Sequence, residues 1–173
     1  MNLIITCARH LESEASNELR AIFAEFGDEN LDVTKTSMSG ILTAKTKLDP
    51  LEAIRKIREK IVEEPWSIRY CLRIIPIEQV VETIPKKISS TAISLMKRIN
   101  EKDTYRITIE KRNSKISSSE LISEIAKNIK NKVSLETPNW VVLIEILGPK
   151  TGIAVLKNND IFSLEISKRE SLK

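Results

Sequence analysis

Over residues 1–75 the apolar side chains keep changing period, and the order of those changes restricts the fold more than any other feature. Leu3 to Cys7 is a short apolar run of strand type. Leu11, Ala15, Leu19, Ile22, Phe23 and Phe26 then recur at helical spacing until Gly27 supplies a stop. Leu31 to Thr36 and Ile41 to Thr46 read as paired strands, with Ser39-Gly40 as the turn signal between them. Asp49, Pro50 and Glu52 have the residue types of a helix start, and Leu51, Ile54, Ile57, Ile61 and Val62 form the stripe that follows. Pro65 ends that helix, and Ile68 to Ile75 completes the series as a fourth strand. The order βαββαβ predicts a ferredoxin-like domain over 1–75, an antiparallel sheet with both helices on one face. That architecture serves many functions and selects none of them.

A second α/β domain is expected over 76–168, following without a linker and leaving 169–173 as a disordered tail. Ile77, Val80, Val81 and Ile84, then Ile88, Ala92, Leu95, Met96 and Ile99, suggest two helical stretches. Tyr105 to Lys111 alternates like a strand, and Ser117 with Glu120 marks the start of a helix carrying Leu121, Ile122, Ile125, Ala126 and Ile129. Trp140 to Leu147 is nearly all apolar, as a strand covered on both faces would be. Ile153 to Leu156 and Ile161 to Ile166 are expected to close the domain. The whole chain is therefore predicted to be α+β.

The sequence is 41% hydrophobic and 30% charged, enough for a packed core. No apolar run approaches the roughly 18 residues of a membrane span, and the N-terminus lacks the pattern of a signal peptide, so a cytoplasmic protein is expected. Cys7 and Cys71 are read as small buried hydrophobes. Charge is the more telling quantity. Residues 1–75 hold 11 basic and 12 acidic side chains and residues 76–173 hold 17 and 12, so the net +4 originates in the second part. Such asymmetry points to an anionic partner.

Groups for chemistry are scarce. His10 is the sole histidine, and glycines only at 27, 40, 148 and 152 exclude a Gly-rich nucleotide loop. Gly148-Pro149-Lys150-Thr151 lacks the earlier glycine of a phosphate-binding loop and reads as a connection between strands. No catalytic residue, metal or cofactor is expected, and the chain is not expected to be an enzyme.

Cationic groups offer better candidates. Alternation along the strand Ile68 to Ile75 puts Arg69 and Arg73 on one face, with Cα atoms about 13 Å apart, a spacing that could follow a phosphate backbone. Lys111, Arg112 and Asn113 end one strand shortly before the Ser117 helix start, whose amides favour an anion. Lys115 lies in that loop; Lys127 and Lys130 decorate the far end of the helix; Lys86 and Lys87 precede it. Aromatic residues are few, which argues for recognition of backbone and shape in a folded RNA.

Several stretches resemble the THUMP family of RNA-binding modules attached to tRNA-modification systems. They are Tyr105-Arg106-Ile107-Thr108-Ile109-Glu110-Lys111-Arg112-Asn113, the Ser119-Glu120 helix start, Val133-Ser134-Leu135-Glu136-Thr137-Pro138-Asn139-Trp140, Val141 to Ile146, and Gly152 to Leu156. The Arg-Tyr-x-x-Arg-x-x-Pro run at 69–76 resembles the junction in adaptors that assist RNA cytidine acetyltransferase in forming N4-acetylcytidine. The resemblance implies a ferredoxin-like domain followed by THUMP. It also implies that the THUMP domain holds the tRNA acceptor end while a D-arm cytidine is delivered to a partner that binds acetyl-CoA and ATP. A stand-alone THUMP subunit of a tRNA methyltransferase or thiouridine synthase is the alternative, followed by a small ferredoxin-like enzyme or metabolite sensor. Two positions depart from the family pattern: Ser134, where Asp is frequent, and Asp160, where a basic residue is frequent.

Overall fold

The computed structural model describes residues 1–173, the side chain of Ser171 excepted. The chain divides into two units, residues 1–76 with 159–173, and residues 77–158.

The first unit contains β1 (Leu3–Thr6), α1 (Glu12–Glu25), β2 (Asp32–Lys35), β3 (Ile41–Lys45), α2 (Pro50–Glu63) and β4 (Arg73–Pro76). Its sheet runs β2-β3-β1-β4, every pair antiparallel, and gains a fifth strand from the C-terminal segment. Leu3, Ile5, Leu42, Ala44 and Ile74 point from the sheet into a core shared with Leu19 and Phe23 of α1 and Ile54, Ile57 and Ile61 of α2. This is the expected ferredoxin-like arrangement. Local chemistry sets its boundaries. Asp49 accepts a bond from the Leu51 amide at 3.1 Å and Pro50 occupies the first helical position, where its missing N–H costs nothing. At the end of α1, Gly27 has φ +100° and the Asp28 amide donates back to the Phe23 carbonyl at 2.8 Å, closing the helix as a Schellman turn. Gly40 is required for another reason: a Cβ there would lie 2.7 Å from the Cys7 carbonyl oxygen.

The fourth strand is shorter than the alternation of residues 68–75 suggests. The Glu18 carboxylate accepts bonds from the amides of Arg69 at 2.7 Å, Tyr70 at 3.0 Å and Cys71 at 2.9 Å. These amides are thereby withdrawn from strand pairing, which begins only with the Leu72 amide on the Thr6 carbonyl. Arg69 thus lies outside the strand that holds Arg73, and the same-face spacing expected for the two arginines does not occur.

The second unit contains β5 (Gln79–Glu82), α3 (Pro85–Met96), β6 (Tyr105–Arg112), α4 (Ser118–Ala126), β7 (Trp140–Leu147) and β8 (Lys150–Leu156). Its sheet order is β5-β8-β7-β6, with β6 parallel to β7 and the other pairs antiparallel. Ile88, Ala92 and Met96 of α3 and Leu121 and Ile125 of α4 cover Val142, Ile144, Ile146, Ile153 and Val155. The first stretch read as helical, Ile77 to Ile84, is instead an edge strand. β-Branched Val80 and Val81 suit a pleated ribbon, the Glu78 amide donates to the Ile153 carbonyl, and Pro85 places the helix start after Ile84.

The C-terminal segment also departs from expectation. Residues 161–166 do not close the second domain. β9 (Phe162–Ser163) pairs with β4, Phe162 is fully buried in the core of the first unit, and α5 (Leu164–Ser171) follows. The expected disordered tail is correspondingly part of a helix up to Ser171. The free edge of β4 and an apolar gap for Phe162 draw the chain end back to its own beginning.

Candidate nucleic-acid interface

In the 77–158 unit the C-terminal ends of β5 and β6, the β7–β8 hairpin and the N-termini of α3 and α4 all fall at one end of the sheet. The connections explain why. Both helices start soon after a strand ends, and the two-residue turn Gly148-Pro149 returns β7 into β8 at the same level. Gly148 has φ +58° and precedes proline, the order a type II′ turn demands. Its amide donates to the Arg112 carbonyl at 2.9 Å, tying the hairpin to the end of β6. Asn113 then turns the chain with φ +54°, a conformation asparagine tolerates well.

Most of the sequence-predicted residues of this unit meet at this end. Lys86 and Lys115 line a cleft with Ser89, Ser117 and Pro85, at the N-termini of α3 and α4. Ser117 caps α4 by accepting from the Glu120 amide at 3.3 Å, in agreement with its spacing. Among the described residues neither Lys86 nor Lys115 forms an ion pair. The cleft is not purely cationic, since Glu120 and Glu124 also line it. Lys87 pairs with Glu82 at 2.9 Å, and that pairing first, then the charge of Lys150, holds the Glu82 carboxyl below its ordinary range. Lys111 reaches across the loop and donates to the Ile116 carbonyl at 2.7 Å, bracing the path between β6 and α4.

Arg112 has a different setting from its neighbours. Its guanidinium donates to Glu145 at 3.3 Å and approaches Glu110 at 3.5 Å. Glu145 is fully buried in the middle of β7, opposite Gly152 on β8. A buried carboxylate needs a counter-charge, so Arg112 is in the first place the partner of Glu145.

Lys127 and Lys130 lie at the opposite end of α4. Lys127 pairs with Glu124 at 2.7 Å, and Lys130 borders a hollow with Lys97, Asn128 and Asn131. Arg69 and Arg73 belong to the other unit. The residue that sequence reasoning missed is Lys150, which the hairpin carries to the cationic end opposite Glu82. Its signal lies in Gly148-Pro149-Lys150, a connection between strands by its residue types, although only the strand pairing shows where the turn lies.

His10 follows β1 with φ +71° in an exposed turn, and both cysteines are buried as free thiols. Among the described residues there is no group of three or more His, Cys, Asp or Glu placed to hold a metal ion, and no helix is long and apolar enough to cross a membrane.

Comparison with known proteins bears on this arrangement. The structure of PH1313 from Pyrococcus horikoshii Ot3 matches with TM-score 0.70 and 20% identity, covering 91% of this chain and 55% of that one. TrmN from Thermus thermophilus matches with TM-score 0.63 and 12% identity, over 90% of this chain and 45% of that one. A 4-thiouridine synthetase in complex with RNA and bound ATP gives TM-score 0.54 and 12% identity, over 94% of this chain and 42% of that one. This chain therefore spans about half the length of these proteins, and at such identities the likeness is one of fold. No curated protein sequence matches it. The family comparison is specific to the second unit: residues 82–156, which carry the cationic end and both helices beside it, match the THUMP domain family.

Proposed function

We propose that this chain binds tRNA through its THUMP domain and serves as the RNA-holding part of a tRNA-modifying system whose chemistry is done by another protein or domain. The observation that carries this reading is the gathering of Lys86, Lys115 and Lys150 at one end of that domain, beside two helix N-termini. Lysines there can meet phosphates while the helix amides add partial positive charge. The domain has 14 basic and 9 acidic side chains over 77–158, a net +5 in a chain of net +4.

Among modification systems, a thiouridine synthase or methyltransferase is the favoured setting. A 4-thiouridine synthetase with bound RNA shares the fold over 94% of this chain. Presentation of tRNA to an RNA cytidine acetyltransferase is the finer alternative, and it rests on the 69–76 run alone. Deletion followed by nucleoside analysis separates the two: loss of 4-thiouridine or a methylated base supports the first, loss of N4-acetylcytidine the second.

The test of tRNA binding is a titration of purified protein with total tRNA across a salt series, with double-stranded DNA as comparator. Engagement of around five phosphates gives a slope of log affinity against log salt of roughly −3 to −5. Preference for tRNA with such a slope is the expected result, and no binding at low salt would remove the proposal. Replacing Arg69 and Arg73 together by alanine then reports whether the first unit takes part in holding the RNA.

A further inference from the structure

Trp66 is 65% exposed, an unusual position for the largest apolar side chain. It stands on the rim of a groove confined to the first unit, between α1 and the segment after α2. Ala21 and Ile22 contribute apolar surface from α1, and Ser67, Arg69 and Tyr70 line it from the segment. That segment is held in place. Glu18 accepts the three successive amides of Arg69, Tyr70 and Cys71, and the Ser67 amide donates to the Glu64 carbonyl at 2.9 Å. The indole is therefore displayed from an ordered backbone, which lowers the entropy lost when a partner seats on it.

The charge around the indole is the reverse of that on the THUMP domain. Glu14, Glu18, Glu25 and Glu64 line the groove against Lys60 and Arg69. Lys60 lies between Glu25 at 2.9 Å and Glu64 at 3.1 Å, so that trio carries one net negative charge. Glu14 forms no ion pair among the described residues. A phosphodiester would approach these carboxylates at an electrostatic cost. A guanidinium or ammonium group suits both the aromatic face and its surroundings.

We propose that this groove docks an arginine- or lysine-bearing segment of a second protein, whose cationic side chain stacks on Trp66 and is met by Glu14, Glu25 and Glu64. The surface is independent of RNA binding by the other unit. It divides the labour of the chain, with RNA on the cationic end of the THUMP domain and protein on the acidic groove of the first unit.

The experiment uses the full chain and follows tryptophan emission during titration with a capped hexa-arginine peptide, with hexaglutamate and total tRNA as comparators. Trp66→Phe supplies the background from Trp140. The expected result is a saturable change that belongs to Trp66, is produced by hexa-arginine and not by hexaglutamate, and weakens as salt rises. Glu14→Gln, Glu25→Gln and Glu64→Gln combined should raise the peptide Kd by about tenfold or more, the equivalent of about 1.4 kcal/mol. Circular dichroism melts of that variant distinguish loss of the site from loss of the fold, and Glu14→Gln alone should give a smaller rise in the same direction. Absence of a Trp66 response to hexa-arginine would overturn the proposal. So would a Trp66 response to tRNA that persists in the triple variant, because it would make the groove an RNA-stacking site.

Discussion

The first unit and the 77–158 unit both pack a pair of helices on one face of a sheet, yet they use charge in opposite ways. The first has 14 basic and 15 acidic side chains, and several of its carboxylates are engaged with its own backbone. Glu18 receives three amides, Glu12 accepts from the Gly40 amide, Asp28 accepts from the Lys47 amide, and Asp49 caps α2. In the second unit, the ends of strands and the starts of helices bring lysines together while the interior keeps one buried carboxylate, Glu145. The lesson is that architecture does not distinguish the two units; the placement of charge at element ends does.

The largest test of that division concerns the boundary itself. Phe162→Ala should destabilise the first unit by about 3–5 kcal/mol, because a fully buried ring is removed from a closed core. Hydrogen exchange should show diminished protection in β1, β3 and β4 with β6 to β8 retained. Diminished protection confined to β6 to β8 would place the C-terminal segment with the second unit instead.

Arg112→Ala comes next. It leaves buried Glu145 without its guanidinium and should cost the second unit roughly 1–3 kcal/mol in urea unfolding. Adding Glu145→Gln should return part of that stability without restoring any RNA affinity that Arg112 supplied. If Arg112→Ala proved neutral for stability, its pairing with Glu145 would not be structural.

The cationic end can be tested against the far end of α4. Lys86→Ala with Lys115→Ala should weaken tRNA binding about tenfold and reduce the salt slope by about 2, one for each phosphate left without its lysine. Lys127→Ala with Lys130→Ala should leave both quantities close to wild type. The reverse ranking would move the RNA site to the other end of the domain.

The smallest effect distinguishes the interior of the first unit. Burial is the main cause that raises the thiols of Cys7 and Cys71 above their ordinary range. Above that range an unfolded thiol ionises while the buried ones keep their protons, so the unfolded state is favoured as pH rises. Stability from these groups is complete at neutral pH and declines on the alkaline side, by up to about 1.4 kcal/mol per thiol for each pH unit beyond the unfolded pKa. Urea unfolding at pH 7 and pH 9 should show a steeper decline for the natural chain than for Cys7→Ala with Cys71→Ala, and equal declines would refute it.

Much was legible in the residues themselves. The βαββαβ order, the caps at Asp49 and Ser117, the Gly27 stop and the doubly covered strand at 140–147 all depend on chemistry contained within a few neighbouring positions. So did the excess of positive charge beyond residue 76. Other features were decided by partners distant in sequence. Glu18 takes the amides of residues 69–71 and so postpones β4, β8 makes an edge strand of residues 79–82, and β4 recruits Phe162 from the far end of the chain. Lys150 reaches the cationic end, and Arg112 turns to Glu145, for the same reason. Periodicity and capping act over one or two turns and can be read from the amino-acid sequence. Which strand edge, carboxylate or buried gap a segment meets depends on hydrogen-bond and packing partners that become neighbours only when the chain has folded.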